Sequence, residues 1–207
     1  MEFLIEMTTH IPAGMFDDSI EDVRAREAAR SRELAAQGTL LRLWRPAGHT
    51  SEWRTVGLFT ANDSDSLEEL LASMPLRVWR TDEVTPLHPH PNDPALVGIT
   101  ANRAQPTEFL IAMTITVSKG IRERVVDDAM SRQAQRGHEL ARDGHLVRLW
   151  DLPGEPDRRR TLGLWRARDA ANMVAVLESL PLYGWMTVEI LSLTAHPDDP
   201  ARKRKRR

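Results

Sequence analysis

The sequence predicts an α+β protein made of two copies of one βαββαβ unit, and three observations lead there. "LLRLWRPAG" (40–48) returns as "LVRLWDLPG" (146–154). The register starts where Glu2-Phe3-Leu4-Ile5 meets Glu108-Phe109-Leu110-Ile111. It runs without a gap to "HPND" (90–93) and "HPDD" (196–199), with roughly two fifths of the aligned residues identical. Within each copy, alternating and helical hydrophobic patterns follow one another in the order β, α, β, β, α, β. Two copies cannot form a solenoid, so the chain reads as a duplicated domain. The expected layout is copy one over 1–94, a linker over 95–107, copy two over 108–200 and a basic, disordered tail over 201–207.

The elements of copy one justify that order. "EFLIEMTTHI" (2–11) alternates as a strand with Phe3, Ile5 and Met7 on one face, before Pro12 and Gly14 break it. A helix is expected over 19–37, capped by Asp17, Asp18 or Ser19 and stopped by Gly38. Its apolar stripe runs through Ile20, Val23, position 27, Leu34 and Ala35. "TLLRLWR" (39–45) and "WRTVGLFTA" (53–61) read as two strands joined around Gly48. "DSDSLEELLASM" (63–74) is a second helix with acidic and Ser residues at its start and Pro75 beyond its end. "RTDEVTPL" (80–87) closes the copy as an edge strand, because Pro86 lacks a ladder donor.

The βαββαβ order is the ferredoxin-like pattern, one antiparallel sheet with both helices on one face. The other face is bare unless something covers it, and a second copy on the same chain is the obvious cover. The expected fold is therefore two ferredoxin-like repeats forming an intrachain, pseudo-dimeric α+β barrel.

Composition narrows the function classes. With 41% hydrophobic and 28% charged residues the chain is ordinary globular material. The absence of cysteine excludes disulfides and thiolate metal sites. No basic segment precedes an apolar stretch at the start, and no apolar run reaches the ~20 residues of a membrane span. A cytoplasmic protein without a membrane partner is expected. Net charge is −2 although the last six residues are all basic, so the rest of the chain is more acidic still. An acidic body argues against a specific nucleic-acid partner.

Glu27 is the first candidate for chemistry. It lies on the apolar stripe of the first helix, where a carboxylate is costly unless paired or working. It is either a stripe-edge residue paired with Arg24 or Arg30, or a general base whose pKa burial has raised. An open pocket beside it would favour the second reading. Arg42 and Trp44 alternate onto one strand face, as do Arg148 and Trp150. They are either a stacked pair of structural value or a carboxylate clamp. None of the seven histidines has metal-ligand spacing, and His90 and His196 are expected to pack where each copy exits. No phosphate-binding glycine loop and no Gly-x-Ser-x-Gly elbow occurs.

The stretches "EFLIEMTTHIP", "LRLWRPAGH", "MPLRVWRTDEVTPLHPHP" and "LPLYGWMTVEILSLTAHP" resemble the muconolactone δ-isomerase family over both copies. The resemblance implies a ferredoxin-like fold that pairs into α+β barrels and then into larger oligomers. Here one chain would fuse the usual pair, leaving a homo-oligomer of such chains as a possible assembly. It also implies proton and double-bond migration within an unsaturated, carboxylated lactone, in aromatic-acid breakdown through 3-oxoadipate, without metal or organic cofactor. By resemblance Glu27 matches a Glu on the family's first helix, and Arg24 stands where the family has a Lys. They are the expected base and its cationic partner. The family's Arg-His-Leu-Trp is Leu41-Arg42-Leu43-Trp44 here, and its third-strand Asn and Tyr have no counterpart in "WRTVGLFTA".

Copy one alone carries the ionisable set: Glu6, His10, Arg24 and Glu27 correspond to Ala112, Thr116, Met130 and Gln133. Glu6, His10, Arg42 and Trp44 are the expected substrate-binding residues. The expected function is a cofactor-free isomerase of an acidic lactone. The alternatives are a binding or scaffold protein that keeps the fold, or a cofactor-free oxygenase of the same fold class.

Overall fold

A computed structural model describes residues 1–48, 53–101, 105–118, 120–154 and 159–202. The basic run 203–207, expected to be disordered, lies outside them. Copy one forms β1 (Glu2–Thr9), α1 (Asp17–Ala36), β2 (Leu40–Pro46), β3 (Trp53–Thr60), α2 (Ser64–Ala72), a 3₁₀ turn (Pro75–Trp79) and β4 (Arg80–Pro89). Copy two repeats the order with β5 (Thr107–Ile115), α3 (Glu123–Arg142), β6 (Leu146–Asp151), β7 (Arg159–Ala167), α4 (Ala170–Glu178), a 3₁₀ turn (Tyr183–Trp185) and β8 (Met186–Ala195). Among the described residues the fold class is α+β, with eight antiparallel strands and four α-helices, as expected.

Two local expectations need correction. The first helix begins at Asp17, with Phe16 in the capping position and no side-chain cap; Asp17 and Asp18 are its first turn. Carboxylates there favour the helix through its dipole, so they serve from inside the helix and not as caps. Asp63 does cap α2, accepting from the Ser66 amide at 2.8 Å. The second correction concerns β4. It continues through Pro89, and His88 and Pro89 pair with Asp151 and Trp150 of β6. Pro86 removes one donor, but pairing resumes beyond it, so β4 is not an edge there.

The chain divides into two compact units whose boundaries are not those of the copies. One comprises Met1–Pro86 with Thr194–Arg207, and the other Leu87–Leu193. In the first unit β3 lies between β1 and β2. Phe3, Ile5 and Met7 of β1 meet Leu34, Leu40, Phe59, Leu67 and Leu71 in its core. A Cβ on Gly57 would collide with the Phe59 ring, which folds back over that glycine. In the second unit β5 lies between β7 and β8. There Phe109, Ile111 and Met113 meet Leu140, Trp165, Met173 and Leu177.

Each unit thus holds the last residues of the other copy, and a buried carboxylate fastens them. In the first unit Asp199 is 4% exposed. Its carboxylate accepts from Arg42 Nε and Nη2, both at 3.2 Å, and from the Leu43 amide at 3.1 Å. In the second, Asp93 accepts from Arg148 Nε and the Leu149 amide, both at 3.0 Å. His196 donates its amide to the Leu43 carbonyl, as His90 does to that of Leu149. The repeated Arg-Leu-Trp stretch therefore has a structural use in both units. Its Arg lies over the neighbouring Trp ring, 4.6 Å from the centroid for Arg42 and Trp44 and 4.8 Å for Arg148 and Trp150. No helix among the described residues is long and apolar enough to cross a membrane.

Removing one partner of a buried ion pair leaves a charge without compensation. Asp199→Ala is expected to lower stability by about 3–5 kcal/mol. Asp199→Asn should cost less, because its amide oxygen still accepts from Leu43. Urea unfolding of the two variants beside the parent chain measures the difference.

Candidate active site

A cavity of about 690 Å³ lies in the first unit, beside the half of α1 that does not pack into the core. Leu34 and Ser31, near the end of the helix, are buried, whereas Ile20, Val23 and Glu27 are only half-buried. The residues Arg24, Glu27, Ala28 and Ser31 of α1 form one side. Met7, Leu43, Arg45, Trp53 and Arg54 come from the strands, Arg80 from β4, and His196 with Asp198 from the exit of copy two. An open space therefore does lie beside Glu27.

Glu27 is held at both oxygens. Oε2 accepts from the Leu76 amide at 2.9 Å, and Oε1 from Arg80 Nη1 at 3.1 Å. Arg80 is itself clasped by Asp82, with Nε to Oδ1 at 2.5 Å and Nη2 to Oδ2 at 3.0 Å. The Arg80 and Asp82 side chains are 2% and 1% exposed, so this is a buried charged network. Arg77, 3.0 Å from Asp82, ties it to the surface. Burial pushes the Glu27 carboxyl above its ordinary value, opposed by the Leu76 amide and the Arg80 cation and helped by the nearby Asp82 charge.

The other residues expected at the site fall in different places. Arg24 lines the cavity, but it pairs with Glu21 and lies 3.5 Å over the centre of the Trp53 ring, not against Glu27. Arg30, the other expected partner of Glu27, bonds to Glu33 and Ser73. Arg42 is committed to Asp199, and Trp44 is buried to 1% exposure; neither lines the cavity. Glu6 lies outside as well, accepting from Arg54 at 3.4 Å, so it acts on the cavity only through that guanidinium. His10 is exposed, and its backbone amide ties β1 to Trp79. Of the six residues, the structure brings two together at the cavity, Glu27 and Arg24.

Sequence reasoning missed Arg80, Asp82, Arg45 and the arrival of His196. One signal was present for the first two. They share a face of β4, and their counterparts in copy two are the neutral Met186 and Val188. Gln133, in place of Glu27, keeps the bond to the following turn, accepting from the Leu182 amide at 3.2 Å. The charged network of copy one is thus neutral throughout in copy two. Among the described residues no group of His, Asp and Glu side chains could hold a metal ion.

A family model described as muconolactone delta-isomerase matches residues 1–93 and 107–199. The chain belongs to the muconolactone delta-isomerase family. The muconolactone delta-isomerase of Acinetobacter baylyi is 29% identical over 92 residues, which is 44% of this chain and 93% of that protein. That of Cupriavidus pinatubonensis is 32% identical over 92 residues, again 44% of this chain and 97% of the relative. Each relative thus has the length of one copy. Two solved structures extend over both copies. A heme-binding protein from Thermus thermophilus covers 96% of this chain and 93% of its own, with a TM-score of 0.60 at 11% identity. A chlorite dismutase variant from Candidatus Nitrospira defluvii covers 93% and 91%, with a TM-score of 0.55 at 12% identity. At such identity these likenesses show the fold alone, and it is the expected fold class.

Copy two supplies the design of a test. Replacing a complete buried ion network by apolar groups is often neutral or stabilising by about 1–4 kcal/mol, whereas breaking one member is costly. The triple variant Glu27→Gln, Arg80→Met, Asp82→Val copies the solution of the second half. It should unfold at least as late as the parent chain in a thermal melt. Asp82→Ala alone should lose about 3–5 kcal/mol.

Proposed function

We propose that the cavity of the first unit is the active site of an isomerase acting on an unsaturated lactone that carries a carboxylate. Glu27 is the base. It takes a proton from carbon, and the released C–H electron pair moves into the conjugated system to give an enolate on the lactone's carbonyl oxygen. Collapse of the enolate restores the carbonyl while the same carboxyl returns the proton at another carbon. The double bond moves, no atom is lost and no oxidant enters.

The observation that carries this reading is the position of Glu27 on the cavity wall with its pKa raised by burial. A raised pKa makes the carboxylate a stronger acceptor of a carbon-bound proton, and the bonds from Leu76 and Arg80 fix its orientation without protonating it. Membership of the isomerase family supports the reading. One feature favours a scaffold role for half of the chain: in copy two Gln133 offers no base, since a neutral amide does not take a proton from carbon at neutral pH. Copy two then serves as structure and copy one as catalyst, and the chain has one site.

Glu27→Gln is expected to fold and to lower turnover of the true lactone by ~10²–10⁴. Gln133→Ala should leave turnover near that of the parent chain. Full activity in the first variant, or loss of activity with an intact fold in the second, overturns the one-site assignment. The pH dependence has a definite sign. The base works deprotonated, so kcat/KM should fall as pH drops through the Glu27 pKa, and that limb should lie above the ordinary 4.5 of a glutamate. A lactone-isomerisation assay between pH 4 and 8 (roughly the span of a raised carboxyl) follows it.

A further inference from the structure

We propose that Arg45 and His196 form an anion subsite in this cavity, which receives the carboxylate of the ligand. The proposal deepens the isomerase reading and rests on it for the identity of the ligand as an acidic lactone. It begins from the cations of the cavity wall. Arg24 is paired with Glu21, Arg54 with Glu6, and Arg80 with Glu27 and Asp82. Arg45, exposed at the end of β2, meets no acceptor among the described residues. Among the described lining residues it is the cation left to neutralise a ligand.

His196 lines the same cavity, close enough to feel the Arg45 charge. Its Nδ1 accepts from the Asp198 amide at 3.2 Å, whereas the Asp198 carboxylate lies beyond hydrogen-bond range at 3.8 Å, and this assigns the proton of the neutral ring to Nε2. Among the described residues no hydrogen bond engages Nε2, and His196 lines the cavity, so this N–H is a donor free for a ligand. Burial, and then the Arg45 charge, hold this imidazole below its ordinary value, against the opposing Asp198 and Asp199. Asp198 is itself engaged by Arg32 at 3.4 Å. A neutral N–H beside a guanidinium suits a carboxylate, which accepts from both.

The second unit supplies an internal comparison. Asp151 stands in the place of Arg45, and its carboxylate lies 3.9 Å from Nε2 of His90, the counterpart of His196. Copy two thus carries its own carboxylate next to the exit histidine. Copy one carries a cation there instead and leaves the carboxylate to the ligand. The exchange of Arg45 for Asp151, within an otherwise repeated stretch, is what this proposal explains.

The test uses a probe that cannot react: the saturated lactone acid (5-oxotetrahydrofuran-2-yl)acetate, beside its methyl ester. Binding is read by calorimetry and by the ¹⁵N resonances of the His196 ring, assigned through His196→Gln, with the full chain throughout. The acid should bind the parent chain and shift the His196 Nε2 signal, and the ester should bind much more weakly. Arg45→Met should weaken binding of the acid at least tenfold and leave the ester unchanged. Arg45→Lys should recover part of the loss, and Asp151→Asn should change nothing. Equal affinity for acid and ester, unchanged affinity in Arg45→Met, no shift at His196, or no binding of the acid by the parent chain would each overturn the subsite. Binding with these properties but no turnover of any unsaturated lactone sustains the subsite and defeats the isomerase reading. Turnover that survives Arg45→Met with an unchanged KM does the reverse.

Discussion

The carboxylate of Asp199 is the constraint on which the site depends. A buried carboxylate is tolerable only when its charge and its lone pairs are answered, and here Arg42 and the Leu43 amide answer them. Holding Asp199 fixes the residues just before it, and these include His196 and Asp198 of the cavity wall. A residue far along the chain therefore completes a cavity whose buried carboxyl, Glu27, is on the first helix. The same clasp in the second unit, Asp93 with Arg148, shows that it belongs to the fold and not to the chemistry.

Above this shared frame, the two copies differ in charge. In copy one a carboxylate, a guanidinium and a second carboxylate run from the cavity into the interior as Glu27, Arg80 and Asp82. In copy two the same positions are Gln133, Met186 and Val188, and one amide bond to the backbone is all that persists. A neutral set needs no internal compensation, whereas the charged set is stable only while complete. Keeping the costly version beside a cavity is consistent with its use there. The raised pKa of Glu27 follows from that location: burial dominates, and the donors that restrain it are the ones that orient it.

Several features were legible in the chain because they depend on local pattern. Alternation put Phe3, Ile5 and Met7 on one face, and helical spacing put Glu27 on the inward stripe of α1. The Arg42–Trp44 pair was also legible as a pair, and of its two readings the geometry agrees with the structural one and not with substrate binding. The start of α1 was misplaced because Asp is a favourable residue both as a cap and in the first turn, and spacing does not separate the two. Arg80 and Asp82 were passed over because alternation on a strand assigns a face but not what that face meets.

By itself the sequence determined the duplication, the βαββαβ order, the family and the asymmetry between an ionisable and a neutral copy. Each of these is written in residue identity at fixed spacing. Tertiary structure decided which ionisable residues share a cavity. It removed Arg42 to a structural pair, left Glu6 behind Arg54, and brought His196 to the cavity that Arg45 also lines. The reason is physical: periodicity constrains neighbours a few residues apart, whereas the partner of a buried charge is set by packing between segments more than 150 residues apart, as Arg42 and Asp199 are.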